Sequence, residues 1–348
     1  MKERRINIEF IRVFAIIMTI VIHVSNVYIY SFNSISNTDY LVSVIFNCMS
    51  RICVPLFFMV SGIFLIDEKY DRKKYLKRVF RFVILLIVWS IVYYFGIDGY
   101  KHYDFLTFCI NSLFNAEMSS RHLWFMYAII GIYIALPFIQ SMVKNLDKEK
   151  ENLFLILWMI ISGGVVIYVP LAREILKYDV DIAYPVPILG ATYYLGYFIS
   201  GYILYNRFKG LKDTVKIKKI NFWCIFSYIC STIISILGMH FISLIKGIVY
   251  DSVIWYRSIF IVIAAFSLFI MIIVNEDKIK NKFILNLSSL SFGVYLIHYL
   301  FLFNIKQYVN IIEYNPLIYI PYLSFLIYLL SVFSSFIIKK IPLINKLI

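Results

Sequence analysis

The residues best suited to chemistry lie in the first apolar stretch, where Glu9, Arg12, Thr19, His23 and Asn26 interrupt a run of Ile, Val, Phe and Met. An imidazole titrates near neutrality and can take a proton as a general base. A guanidinium holds anions and keeps its charge. At roughly 100° per residue, the steps from Arg12 to His23 close to within about 20° of full register. Glu9, Thr19 and Asn26 fall within about 60° of Arg12, so five polar side chains share a stripe about 100° wide. A rise of 1.5 Å per residue puts His23 roughly 16 Å beyond Arg12. An ionisable group in hydrocarbon costs at least ~2.5–3.5 kcal/mol on insertion scales, so each of these needs a partner or a purpose.

Further candidates follow along the chain. Asn47 and Arg51 stand four residues apart on one helical face, ahead of Pro55-Leu-Phe-Phe-Met-Val-Ser61-Gly62. The Ser-Gly pair suits close helix packing, and with no Gly-x-Ser-x-Gly elbow around it Ser61 is not read as a nucleophile. The next loop carries Lys69, Arg72, Lys73, Lys74, Lys77, Arg78 and Arg81. Two readings stand for it: topology with attraction to anionic lipid, or a phosphate-binding surface. Arg121-His122-Leu-Trp124, Arg257 and Tyr295-Leu-Ile-His298 lie at or inside later apolar runs. Glu117 and Asp251 are the carboxylates first in line to orient His23, because Glu9 sits roughly 21 Å away along the same helix.

The elements that must position these residues are helices in a membrane. The 348 residues are 61% hydrophobic and only 16% charged, against about 45–50% and roughly 25% in soluble domains. That excludes a secreted disulfide scaffold, a disordered chain and an ordinary cytosolic enzyme. Apolar windows of spanning length fall at 8–30, 40–65, 80–98, 122–143, 152–171, 185–206, 221–243, 255–275, 284–303 and 316–338. With the N-terminus inside, the inner segments hold 25 Lys and Arg and the outer loops six. The expectation is an all-α polytopic bundle of about ten transmembrane helices, one domain over 1–348, with both termini cytoplasmic. It sits as a multi-pass protein in the cell membrane among membrane lipid. The same bias accounts for much of the net charge of +14 without nucleic acid. Glu9, Arg12 and His23, with no small-residue cleavage site, make the first run a retained span rather than a signal peptide. Five cysteines with no paired Cys-x-x-Cys spacing read as core residues, and no metal site is expected.

Taken together, these residues resemble the acyltransferase 3 family of integral membrane acyltransferases, over essentially the whole chain. The most specific part is arginine, ten residues, then histidine: Arg12 and His23. The family's aromatic Ser-Gly segment matches Pro55 to Leu65, and its Arg-x-x-Arg matches Arg78-Val-Phe-Arg81. The stretch His122-Leu-Trp-Phe-Met-Tyr and Gly293-Val-Tyr-Leu-Ile-His298 look like the branch that O-acetylates surface polysaccharides. Glu9 departs from the Asp that many members carry. The resemblance implies transfer of an acyl group, acetyl above all, from cytoplasmic acyl-CoA to a hydroxyl of a cell-surface or lipid-linked glycan. Acetyl-CoA is then a donor substrate rather than a resident cofactor. Polysaccharide-assembly proteins are candidate partners. On that reading His23 and Arg12 are the catalytic pair, with His23 as general base, and Arg72, Lys74, Arg78 and Arg81 hold the donor phosphates. The pocket is drawn from Glu9, Thr19, Asn26, Asn47, Arg51, Ser61, Glu117, His122, Trp124, Arg257 and His298, with Arg51 or a neutral His as oxyanion donor. The alternative is a flippase or exporter of a polysaccharide or lipid-linked sugar, using the polar stripe as its path.

Overall fold

Uninterrupted apolar runs with polar caps can satisfy their backbone in hydrocarbon only as helices, and helices are what form. The computed structural model describes residues 5–97, 104–114, 120–160, 163, 187–342 and 344–348, and no strand occurs among them. The helices are α1 (Ile6–Ile29), α2 (Asn37–Ser50), α3 (Cys53–Leu65), α4 (Arg72–Gly96), α5 (Phe105–Phe114), α6 (Trp124–Lys144), α7 (148–160) and α8 (Pro187–Phe208). They continue as α9 (Thr214–Lys246), α10 (Ile259–Val274), α11 (Phe283–Ser288), α12 (Ser291–Tyr308) and α13 (Pro316–Lys340). Several of these helices start on a side-chain cap. Ser36 accepts from the Asp39 amide, Asp71 from Lys74, Asp213 from Val215 and Lys216, and Asn315 from Leu317.

Among the described residues, seven segments are long and apolar enough to cross a membrane. They correspond to seven of the ten apolar windows. Of the other three, half of 152–171 lies outside the described residues. The windows 185–206 and 284–303 became α8 and α11–α12, whose composition is more polar. Helix α8 carries Tyr193, Tyr194, Tyr197, Tyr202 and Tyr205, and α12 carries His298, Asn304, Lys306 and Gln307. Both have buried middles: Tyr197 to Ser200 are at most 1% exposed, and Val294, Leu296 and His298 are fully buried. A helix walled off from lipid need not be apolar.

The window 40–65 is broken into α2 and α3 at Arg51-Ile52. Pro55 has no N–H to give the Arg51 carbonyl, and the Arg51 amide bonds back to Cys48 in a tight turn instead. Helix α1 is the axis of the bundle, packed against α2, α3, α10, α11, α12 and α13. Helices α4, α9 and α13 leave Phe80, Ile84, Phe95, Phe222, Ile229, Phe241, Phe325 and Phe333 exposed. Such a face belongs against lipid.

Where α3 meets α8 the backbones touch. A Cβ on Gly62 would lie 1.8 Å from the Phe198 carbonyl oxygen, and one on Gly201 would lie 2.3 Å from the Met59 Cα and oxygen. The Ser-Gly segment of α3 is thus a notch that admits a second helix.

Candidate active site

Three imidazoles from three distant parts of the chain converge. The His23 ring from α1 lies 5.3 Å from His298 of α12 and 6.4 Å from His122, which leads into α6. His122 and His298 are 5.1 Å apart, centroid to centroid. Tyr299 packs 5.2 Å from both His23 and His122, and Tyr93 of α4 lies 4.9 Å from His122. His23 is half-buried, while His122 and His298 are buried.

Backbone and side-chain contacts set two of the rings. His298 Nδ1 lies 2.7 Å from the Tyr295 carbonyl and 3.1 Å from that of Val294. A carbonyl only accepts, so Nδ1 carries the proton and the neutral ring presents a lone pair at Nε2. His122 Nδ1 lies 2.9 Å from Ser120 Oγ, and its carbonyl accepts the Tyr295 hydroxyl at 2.8 Å. The Nε2 atoms of His122 and His298 are buried with no hydrogen-bond partner among the described residues. A buried imidazole nitrogen left unbonded costs free energy, which a hydroxyl-bearing ligand would recover.

Beside His23 runs a polar relay. Arg51 Nε donates to Asn47 Oδ1 at 2.8 Å, and Asn47 Nδ2 donates to Asn26 Oδ1 and Ser25 Oγ, each at 2.8 Å. Asn47 is fully buried. The Arg51 guanidinium also sits 5.6 Å from the Tyr256 ring centre. Tyr256 belongs to a cluster with Trp124 at 5.6 Å and Tyr194 at 6.4 Å. Arg257 turns onto Trp255 and Tyr193, 4.4 and 5.5 Å from their ring centres.

Roughly 16 Å back along α1, Arg12 forms an ion pair with Glu9 at 3.1 Å, and the Ser288 hydroxyl donates to the same carboxylate. Arg12 also lies over Phe64 at 4.7 Å. The basic loop gathers at this end. Glu68 pairs with Lys74 and with Arg78, and Arg78 lies 5.9 Å from the centre of the Tyr133 ring. Burial disfavours the Glu68 carboxylate charge, but the hydrogen bonds from Lys74 and Arg78 outweigh it and hold its pKa below the usual carboxylate range. Gln140 Nε2 donates to the carbonyls of Leu65 at 2.6 Å and Glu68 at 3.0 Å, pinning the loop. Arg81 Nη2 donates to the Ile348 carbonyl at 3.2 Å, and Arg72 is exposed in the first turn of α4. A shallow pocket here is lined by Glu68, Lys69, Tyr75, Arg78, Pro137 and Gln140.

The structure therefore brings His23, His122, His298, Asn26, Asn47, Arg51 and Trp124 into one region. It gathers Glu9, Arg12, Lys74, Arg78 and Arg81 at the other end of α1. Thr19 and Ser61 spend their hydroxyls on the carbonyls of Ala15 and Phe57 in their own helices, both bonds near 2.9 Å. Of the two carboxylates considered for orienting His23, Asp251 accepts from Trp255 Nε1 at 3.1 Å, and Glu117 lies outside the described residues. Sequence reasoning passed over Tyr299, Tyr93, Ser120, Glu68 and Tyr256. Tyr299 and Ser120 neighbour residues already singled out, whereas Tyr93 is one tyrosine among 29. No group of three or more His, Cys, Asp or Glu among the described residues has metal-holding geometry.

Comparison with known proteins gives one match of nearly full length. A protein of Enterococcus faecalis described as an amino-acid racemase is 27% identical over 368 residues, 99% of this chain but 46% of that protein. The chain thus spans about half the length of this curated relative. A second match, to NADH-ubiquinone oxidoreductase chain 6 of Caenorhabditis briggsae, is 31% identical over 129 residues, 35% of this chain and 81% of the relative. No solved structure matches. A family model described as an acyltransferase domain matches residues 5–339, from the first turn of α1 to the end of α13, and the chain belongs to the acyltransferase 3 family of multi-pass membrane proteins.

Proposed function

We propose that the protein moves an acyl group, acetyl above all, from cytoplasmic acyl-CoA to a hydroxyl of a cell-surface or lipid-linked glycan in the cell membrane, with both termini cytoplasmic. The observation that carries this reading is the pairing of two sites on α1. A proton-accepting cluster of three imidazoles stands at one end and a collection of guanidinium and ammonium groups at the other. Acyl-CoA is an extended phosphorylated thioester, and its length suits a path that begins at Arg72, Lys74, Arg78 and Arg81 and runs past Arg12.

In this mechanism the cationic loop holds the donor phosphates through charge-assisted bonds. The pantetheine arm follows the stripe of α1 toward His23. His23 takes the proton of the acceptor hydroxyl as its oxygen attacks the thioester carbonyl. An N–H donor, Arg51 or a neutral imidazole, stabilises the tetrahedral oxyanion. Collapse breaks the carbon–sulfur bond, and the imidazolium returns its proton to the departing CoA thiolate. Such proton transfer contributes typically 10²–10⁴-fold.

Membranes given radiolabelled acetyl-CoA test the reading. Label is expected in glycan with the wild-type protein, and a loss of at least about 100-fold with His23→Ala at equal membrane level. Unmodified sugar crossing the membrane, with no label in glycan, would establish the exporter instead. Undiminished labelling in His23→Ala would remove the imidazole from the mechanism.

A further inference from the structure

We infer that Arg51 and Asn26 form an anion-binding subsite beside the three imidazoles, so that the acceptor carries an anionic oxygen group, a carboxylate or a phosphate, near the hydroxyl that is modified. The inference rests on the acyl-transfer reading for the word acceptor, but the subsite itself stands on geometry.

Arg51 fixes the polarity of the whole relay. A guanidinium only donates, so Asn47 must turn its Oδ1 to Arg51 Nε, as it does at 2.8 Å. The Asn47 Nδ2 then faces Ser25 and Asn26, and Asn26 must answer with its own Oδ1, again at 2.8 Å. The half-buried Asn26 is left presenting Nδ2, a donor. Two ends of one relay therefore show only N–H groups: the guanidinium of Arg51 and the amide of Asn26. An array of donors with no acceptor selects for anionic oxygen.

Charge balance points the same way. Arg51 is at the break between α2 and α3, inside a membrane-crossing segment. Among the described residues no carboxylate lies within ion-pair distance of it, whereas Arg12, Arg78 and Arg207 each have a Glu. Asp251 acts on it only from a distance and is bonded to Trp255. Tyr256 meets Arg51 with a side-chain hydrogen bond and a ring face, but neither supplies the negative charge of an ion pair. A half-buried guanidinium inside a membrane-crossing segment, with no carboxylate among the described residues to balance its charge, is the group that an anionic ligand would complete. The neighbouring faces of Trp124, Tyr194 and Tyr256 add a surface for the apolar side of a sugar ring.

The purified full chain in detergent tests this with matched ligands. Tryptophan fluorescence, with Trp124 beside the subsite, is titrated with cellobiouronic acid against cellobiose, and with glucose 6-phosphate against glucose. At least tenfold tighter binding is expected for one charged member over its neutral match, and the pair that shows it tells carboxylate from phosphate. Arg51→Gln is expected to erase the preference and Arg51→Lys to restore part of it. Asn26→Asp keeps an oxygen for Asn47 while replacing the free donor with a negative charge, so it too should erase the preference. Equal binding of charged and neutral ligands by the wild-type protein overturns the proposal, as does a preference that survives both Arg51→Gln and Asn26→Asp. The transfer assay separates this from the acyl-transfer reading. Acetylation of a neutral glycan with no charge preference sinks the subsite alone. A charge preference without any acetyl transfer keeps the subsite and removes its role in holding an acceptor.

Discussion

Replacing Gly62 with alanine should destabilise the bundle, against the ordinary effect of that exchange. In a helix interior, Gly→Ala gains about 1 kcal/mol from propensity and reduced chain entropy. Here the new Cβ would meet the Phe198 carbonyl oxygen at 1.8 Å and its carbon at 2.8 Å, where ordinary contact begins near 3.4 Å. Helices α3 and α8 would have to part by about 1.5 Å, and the obstacle is backbone, which no rotamer change removes. Overpacking a tight core costs typically 1–3 kcal/mol, and a clash against main chain belongs at the upper end. The net expectation is a loss of about 2 kcal/mol. At about 2–4 °C per kcal/mol for a large domain, the melting midpoint should fall by roughly 4–8 °C. Gly201→Ala, which meets Met59 at 2.3 Å, should fall by less. Buried Cys48 and Cys53 supply the readout, because a thiol-reactive dye gains access to them only as the bundle opens. A midpoint for Gly62→Ala at or above wild type would mean that α3 and α8 do not approach as described, and the placement of the α8 aromatics around Trp124 would fall with it.

Glu68→Gln tests the loop. A carboxylate whose pKa is lowered on folding contributes stability above its unfolded pKa, near 4.3, and loses it as pH falls through the folded value. Wild-type stability should therefore decline below about pH 4.5 by an amount the Gln variant lacks; parallel acid profiles would refute the pairing with Lys74 and Arg78. Arg78→Ala and Arg81→Ala should each raise the KM for acetyl-CoA by about 10-fold or more, the worth of a charge-assisted bond, with kcat changed little. A fall in kcat at constant KM would take these residues out of donor binding. Tyr295→Phe removes the hydroxyl that holds the His122 carbonyl at 2.8 Å and should lower the melting midpoint, by about 1–3 kcal/mol of stability. An unchanged melt would show that the contact does not fix His122.

Much of this was legible because lipid makes sequence explicit. Apolar windows gave the seven strongly apolar spans, and the aligned polar stripe of α1 gave Arg12, His23 and Asn26, since any interruption of a lipid-compatible run stands out. The same logic hid the rest. Helices α8 and α12 were legible as windows and His298 as a candidate, but no signal placed Tyr194 beside Trp124, 5.1 Å from it, or His298 beside His23. The split of the second window at Arg51 depends on a missing amide at Pro55, and Pro inside an apolar run reads equally as a kink. The convergence of His122 and His298 on His23 joins positions far apart in the chain, and no local period encodes that.

Arg12 requires separating two roles that one substitution confuses. It is the ion-pair partner of Glu9, whose side chain is 4% exposed while that of Arg12 is 35% exposed. Removing the guanidinium leaves Glu9 buried with only the Ser288 hydroxyl. The cost of such an orphaned charge is tempered here because the lost partner was partly hydrated, and about 2 kcal/mol is the expected scale. Arg12→Gln alone should therefore lower stability and activity together, which proves nothing about donor handling. Glu9→Gln/Arg12→Gln removes the charge and its need at once, leaving two amides able to bond each other and Ser288. If Arg12 guides the acyl donor, the double variant regains wild-type melting but not acetyl transfer, and its KM for acetyl-CoA stays raised. If Arg12 serves only to neutralise Glu9, transfer returns with stability, and the path from the cationic loop to His23 loses its middle residue.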